Sequence, residues 1–372
     1  MAAFFQNFVI KIASRCNLNC SYCYVYNNFD TGWKLQPNFI DINTYKVFCD
    51  RISEHINGYQ HANINVILHG GEPLLIDEKT LNHLLEITNN ALNPKIVNLT
   101  VTIQSNGLLF SRSIGDILRK YKVRLGISVD GPPLYNDMYR VKHNGLGSSY
   151  VLEEKLNILH SDYYDVFNGF LSVVNIDANP KEVAKYLFSF EPKNIDFLLP
   201  HFNYNNLPKR SHRDHTPYGD WLIEIFDYWF ETGNETTSIR YFESIIRLLL
   251  GRNSLVETIG NPVISSIIIQ TNGEIELEDT LRSCYDGATL LGYNIFEHSF
   301  EEVLNDQKII NLQNNHNHIN LNIKCQSCKI VDICGGGHLP HRYSTLNNFD
   351  NPSVYCSDIT KLILHIKQVI TK

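Results

Sequence analysis

Short β-branched runs alternate with amphipathic helical stretches through the first two thirds of the chain. That is the pattern of βα units feeding a parallel sheet. Strands are expected at Phe8 to Ala13, Ile64 to Leu68, Val97 to Ile103, Arg124 to Ser128, Asn168 to Val174 and Ile195 to Leu199. Helices are expected between them at Asn43 to Asn57, Glu78 to Asn93, Ser111 to Tyr121, Tyr150 to Ser161 and Pro180 to Phe190. The last opens on proline, whose missing N–H costs little at a helix start. Six such units predict an α/β fold, a partial (β/α)6 barrel rather than a full eight, with right-handed crossovers. The polar stretch Pro200 to Thr216 reads as a surface loop or boundary, with His201, His212 and His215 exposed on it. Two helical patterns follow, Asp220 to Glu231 and Tyr241 to Leu250. The aromatic stripe of the first, Trp221, Phe226, Tyr228, Trp229 and Phe230, reads as packing. Ile267 to Leu277 reads as a hairpin turning at Asn272-Gly273. A cysteine-rich, helix-poor stretch comes next, and Ile359 to Ile370 closes the chain as an amphipathic helix.

Composition narrows the class. A chain of 372 residues with 43% hydrophobic content can bury a large core. The net charge of -7 is spread along the chain, which gives no basis for a nucleic-acid or anionic-membrane partner. The opening Met1-Ala2-Ala3-Phe4-Phe5 lacks the features of a signal peptide, and no apolar run reaches the roughly 18 residues of a spanning helix. A cytoplasmic location is expected. Nine cysteines, clustered rather than evenly spaced, suit metal ligation in a reducing compartment better than disulfides. Cys49, alone in a helical pattern, reads as a core thiol.

The clusters carry the candidate chemistry. Cys16, Cys20 and Cys23 form a CxxxCxxC run directly after the first expected strand. Iron-sulfur clusters are normally held by four thiolates, so three leave one iron open, as catalytic metal sites keep an open position. Zinc or buried thiols are the alternatives. The reacting groups of parallel β/α barrels gather at the carboxyl ends of strands. There the second strand leads into His69-Gly70-Gly71-Glu72-Pro73, the third into Gln104-Ser105-Asn106-Gly107, and the fourth into Ser128-Val129-Asp130-Gly131. Glycines let backbone approach a ligand closely. Arg140 is suited to a bidentate carboxylate contact. Near the other end, Cys325, Cys328 and Cys334 in CxxCxxxxxC spacing, with Cys356, give four thiolates. These would close a second cluster, with a zinc ribbon as the alternative. Gly335-Gly336-Gly337 would let backbone N–H groups reach its sulfurs.

CxxxCxxC followed one βα unit later by GGEP resembles the radical SAM superfamily, and the C-terminal cysteines resemble its SPASM extension. The resemblance implies a SAM-binding [4Fe–4S] cluster on Cys16, Cys20 and Cys23, and an auxiliary [4Fe–4S] cluster on Cys325, Cys328, Cys334 and Cys356. It also implies SAM contacts at Tyr22, Gly70, Gly71, Glu72, Pro73, Ser105, Asn106, Ser128, Asp130, Arg140 and Leu198 or Leu199. A full SPASM domain has a further cysteine where His338 stands and a pair upstream where only Cys284 is found. One auxiliary cluster is therefore expected. Cys284 is left as a spare thiol, a substrate-side residue or a ligand to a partial site. By similarity to sulfatase-maturing enzymes, a catalytic carboxylate falls near Glu276-Leu277-Glu278-Asp279, with Asp279 the candidate base.

The run from Cys334 to Cys356, with Cys23-Tyr24-Val25-Tyr26-Asn27, resembles the Xye/Grr/Fxs type of radical SAM/SPASM maturase. That type joins an aromatic ring carbon to a Cβ in a ribosomal precursor peptide, giving a three-residue cyclophane. The implied division is a barrel over residues 1–215, a helical linker region over 216–260 and a SPASM-like domain over 261–372. The implied reaction starts with a 5′-deoxyadenosyl radical removing a Cβ hydrogen. It ends with loss of an electron and a proton, and the implied partners are the precursor peptide and a donor such as flavodoxin or ferredoxin. With no separate leader-binding domain expected, the barrel, the SPASM region or another protein would hold the leader. The alternatives are another SPASM activity, such as formylglycine formation in a sulfatase or thioether formation, and a non-catalytic metal scaffold.

Overall fold

A computed structural model describes residues 4–57, 63–92, 98–212, 215–232, 236–261, 264–315 and 320–371. Among the described residues ten strands are formed: β1 (Asn7–Ala13), β2 (Asn63–Gly70), β3 (Asn98–Ser105), β4 (Arg124–Ser128), β5 (Phe167–Val173), β6 (Asn194–Leu198), β7 (Ser238–Ile239), β8 (Ser266–Ile269), β9 (Glu274–Glu276) and β10 (Leu290–Asn294). The chain divides into two compact units that interleave in sequence. The first comprises Met1–Ser128, Asp137–Gly169 and Ile264–Ile310, and the second Val129–Asn136, Phe170–Val263 and Asn311–Lys372.

In the first unit the strands run in the order β10-β9-β8-β1-β2-β3-β4. β1, β2, β3 and β4 are mutually parallel, and β8 lies parallel to β1 on its other side. β1 is thus an interior strand, which is why Phe8, Ile10, Ile12 and Ala13 are all fully buried. Its pairing with β2 aligns Lys11 with His69 and then slips before Ala13 pairs with Gly70. The parallel arrangement brings the carboxyl ends of β1 to β4 to one edge of the sheet. The expected hairpin is β8 and β9, antiparallel with Ile268 opposite Glu276, and Gly273 supplies the left-handed turn residue at φ 84°.

Helices Ile42–His55 and Glu78–Ala91 follow β1 and β2. Asp41 and Asp77 start them, each carboxylate accepting from the backbone N–H three residues on, Thr44 and Thr80, at 2.9 Å. The buried stripe Tyr45, Phe48, Cys49 and Ile52 packs the first helix on the sheet, with Phe48 edge-on to Phe8. Cys49 is the core thiol the pattern implied. Val97 and Asn93, proposed ends of a strand and a helix, lie outside the described residues.

β5 begins in the first unit and finishes in the second, which also holds β6 and the short parallel β7. Helices Pro180–Phe188, Pro217–Glu231, Arg240–Leu249 and Cys356–Ile370 belong to the second unit. The aromatic stripe packs: Phe226 is fully buried and edge-on to Phe242, and Trp221 donates its indole N–H to the Ala178 carbonyl at 3.1 Å. Asp358 accepts the N–H groups of Tyr218 and Gly219, both at 3.0 Å, pinning two helix starts together. A Cβ at Gly219 would stand 2.7 Å from the Asp358 carbonyl oxygen.

Two expectations are corrected. The stretch after the hairpin is not helix-poor, because Phe300–Leu304, Gln307–Asn315, Ile323–Gln326 and Val331–Cys334 are helical. Their turns are short, and polar or cysteine positions break the apolar period that would have revealed them. Of the three loop histidines, His212 and His215 are exposed, but His201 is half-buried, its ring 5.8 Å from those of both His338 and His341.

Candidate functional site

The first unit holds the CxxxCxxC loop at the carboxyl end of β1. A turn closes from Cys20 O to Cys23 N at 3.0 Å. All three thiols are half-buried. Burial above all, with smaller contributions from Glu72, Cys20 and Cys23, pushes the Cys16 thiol up to about 12 against a 3.4 Å hydrogen bond from the Leu18 N–H. The Cys23 thiol is also raised by burial, opposed by the N–H groups of Tyr26 and Val25 and by Arg140 and Lys11. Without a metal these thiols stay protonated. A bound cation would displace the protons, so such a loop could hold a metal.

The glycines of His69-Gly70-Gly71-Glu72-Pro73 serve close packing against the protein's own cysteine loop. A Cβ at Gly70 would fall 1.9 Å from the Ala13 carbonyl oxygen. One at Gly71 would fall 1.9 Å from Tyr26 Oη and 2.5 Å from the Arg15 carbonyl oxygen. Backbone bonds from Gly71 N to Ala13 O and from Glu72 N to Arg15 O, both at 2.9 Å, dock the two strand ends. Glu72 is fully buried. Its carboxylate accepts from Leu74 N at 2.9 Å, Ser105 Oγ at 2.8 Å and Asn106 N at 2.7 Å. Burial raises its pKa against those bonds. Asn106 in turn donates to Asn17 Oδ1 at 2.7 Å and lies 3.8 Å from Cys16 Sγ. Glu72, Ser105 and Asn106 are therefore a bracket holding the cysteine loop. Pro73 is buried at the start of the following turn.

Arg140 is nearly buried, and its Nη1 donates to Tyr22 Oη at 2.8 Å, so two expected SAM-contacting residues meet beside the cysteine loop. Ser128 accepts from Gln104 Nε2 at 2.9 Å. Asp130 and Leu198 belong to the second unit, where Asp130 accepts the Val173 N–H at 2.9 Å and Leu198 ends β6.

Asp279 lies in the first unit, at the start of a 3-10 turn after β9. It is ion-paired with Lys11 and, at 3.4 Å, with Arg282. Burial works to raise its pKa, but Lys11, Arg282 and His69 together hold it below the usual carboxylate range. Arg282 also pairs with Asp30, at 2.5 Å, and with Glu276. Two cations, Lys11 and Arg282, thus neutralise most of the charge on three buried carboxylates. Lys11 Nζ also donates to His69 Nδ1 at 3.0 Å. Burial and that ammonium push His69 down to about 3. The motif reading missed Lys11, Asn17 and Arg282, and gave His69 no role of its own. Lys11 had a visible signal: a lysine inside Phe-Val-Ile-Lys-Ile-Ala, a run too apolar to be exposed. Cys284, at the end of the same turn, is 3% exposed.

The second unit holds the other four cysteines. Cys334 ends the Val331–Cys334 turn and Cys356 opens the final helix. Burial raises Cys334 to about 12, with Cys356, Cys325 and Cys328 adding to it and the Gly336 N–H opposing. The four sulfurs are therefore neighbours, and a glycine N–H does reach one of them. Gly335, Gly336 and Gly337 all have left-handed φ, at 65°, 83° and 75°. A Cβ at Gly335 would lie 1.3 Å from the Gly260 carbonyl oxygen.

A family model described as the Radical SAM superfamily matches residues 10–186, just under half of the chain. Residues 10–186 thus resemble a radical SAM domain. The protein is accordingly an enzyme. The cysteine-type anaerobic sulfatase-maturating enzyme of Clostridium novyi (strain NT) is 24% identical over 352 residues, covering 92% of this chain and 90% of its own length. The radical SAM cyclopropyl synthase TigE of Paramaledivibacter caminithermalis is 21% identical, over 95% of this chain and 72% of its own. Native anSMEcpe, solved with bound AdoMet and a Kp18Cys peptide, superposes with a TM-score of 0.82 at 22% identity, covering 98% of each chain. The fold of this chain is that of anSMEcpe. Among the described residues no helix is long and apolar enough to cross a membrane.

Proposed function

We propose that this radical SAM protein modifies a side chain of a polypeptide substrate, using a SAM-binding [4Fe–4S] cluster on Cys16, Cys20 and Cys23 and an auxiliary [4Fe–4S] cluster on Cys325, Cys328, Cys334 and Cys356. The carrying observation is the three-thiol loop at the carboxyl end of β1 in a chain alike, nearly end to end, to a sulfatase-maturating enzyme. The bound group supplies hydrogen-atom abstraction from carbon. The chain's residues would hold and orient it: Arg140 and Tyr22 would receive the SAM carboxylate, while the bracket of Glu72, Ser105 and Asn106 keeps the Cys16 loop in place. Asp279, kept anionic by Lys11, Arg282 and His69, is the proposed acceptor of the proton released on oxidation. A flavodoxin or ferredoxin is the proposed electron donor.

Formylglycine formation from cysteine or serine is the reading that the similarity supports best. Cyclophane formation is the second, supported by the Cys334 to Cys356 run and by Cys284 standing without a partner cysteine upstream. The test uses anaerobically reconstituted enzyme, SAM, a low-potential reductant and two peptides, one of sulfatase type and one with aromatic-x-x triplets. An aldehyde captured by a hydrazide supports formylglycine. Loss of two hydrogens with a new C–C link and no hydrazide adduct supports the cyclophane. SAM left uncleaved, or zinc in place of iron, overturns both.

A further inference from the structure

We propose that His201, His338 and His341 form a mononuclear site for a divalent metal of the zinc type, separate from the cysteine sets. All three belong to the second unit. Their ring nitrogens come within 4.8 Å of one another. Bonds of 2.0–2.1 Å to a tetrahedral zinc would set those nitrogens about 3.4 Å apart. Small ring rotations close the remaining angstrom or so.

The sequence brings the trio together from two segments. His201 follows β6 by three residues, while His338 and His341 begin and line the 3-10 turn Leu339–Arg342. Backbone bonds fix the two segments: Tyr204 N donates to Tyr343 O at 3.0 Å, and Val354 N to His341 O at 2.9 Å. Tyr355, fully buried, sets its ring 4.9 Å from His341 and its hydroxyl on the Pro200 carbonyl at 2.8 Å. The cage is preformed by its own backbone.

His341 supplies the independent argument. It is 2% exposed, yet neither ring nitrogen has a hydrogen-bond partner. Buried polar groups are overwhelmingly paired, and each one left unsatisfied costs about 1–3 kcal/mol. A metal ion accepts one of those lone pairs and turns the cost into a bond. Three imidazoles without a thiolate suit zinc, copper, iron or nickel rather than calcium or magnesium, and a fourth position is left for water or a substrate group.

The test uses the full chain with both iron-sulfur sites loaded, stripped of other metals by chelator and then given zinc or cobalt(II). One zinc per chain should bind in addition to the iron. Cobalt should give ligand-field absorption without a thiolate-to-cobalt charge-transfer band. His201→Ala and His341→Gln should each weaken binding at least about 100-fold, since even outer-shell changes cost 10–100-fold, while leaving iron content unchanged. Iron content also reports folding; if His341→Gln does not fold, His201→Ala decides alone. Zinc that survives both histidine variants and leaves with Cys325→Ala, or no stoichiometric zinc in the parent, overturns the site. Neither result bears on the proposed peptide chemistry, whose test reads SAM cleavage and product mass.

Discussion

Lys11 and His69 show how a residue's environment sets its chemistry. Neighbours across the β1–β2 register, they face Asp279 inside the first unit. His69 has its folded pKa depressed to about 3 from an ordinary 6.5, so the unfolded chain binds the extra proton first as pH falls. Its contribution to stability is complete above about pH 6.5 and lost progressively toward pH 3. His69→Gln should flatten the acid limb of a stability profile by about 2 kcal/mol, allowing for partial exposure; thermal melts between pH 7 and 4 check this. Gly71 is more constrained. Because its Cβ would strike the Arg15 backbone, Gly71→Ala should cost about 3 kcal/mol or more and lower iron retention at the Cys16 loop. Asp279→Asn leaves Lys11 and Arg282 with one fewer counter-charge. Breaking such a buried set costs about 3–5 kcal/mol, and the variant should still cleave SAM while product formation falls at least tenfold.

At the scale of elements, strand and helix signals agreed with the structure where the pattern was long. β1 to β6 and the helices between them fall within a residue or two of their expected places among the described residues. Capping by Asp41 explains why the first helix begins one residue earlier than periodicity suggested. Asp41→Ala should destabilise the fold by about 1 kcal/mol, read as a shift in denaturation midpoint with unchanged slope. Elements decided by partners were not legible. β7 is two residues long and exists only by pairing with β6. β10 carries Gly292 at φ 83° and an irregular register against β9, which hides its period.

For the molecule as a whole, the cysteine sets divide between the two units: Cys16, Cys20 and Cys23 in the first, the other four in the second. Their losses should therefore separate. Cys20→Ala should abolish SAM cleavage while retaining about half the iron, and Cys328→Ala should keep SAM cleavage while product formation collapses; iron assay and 5′-deoxyadenosine quantification check both.

Local chemistry was readable from the chain alone. The βα alternation announced the parallel sheet, because strand and helix periods are properties of consecutive residues. Cysteine spacing announced two thiol clusters, because thiols a few residues apart must share a neighbourhood. What lies between distant residues was settled only by the fold. Glu72 looked like a ligand-facing carboxylate, yet its oxygens are largely taken by donors from two other segments. The glycines before it looked like room for a ligand, and the fold shows that they also permit the approach of Arg15 and Ala13. Asp279 was identified by its neighbours in sequence, but its charge state is set by Lys11, 268 residues away. His201 read as a solvated loop histidine and stands beside two histidines more than 130 positions further on. Such pairings depend on which strand ends meet at one edge and which loops fold back together, and no local pattern encodes that.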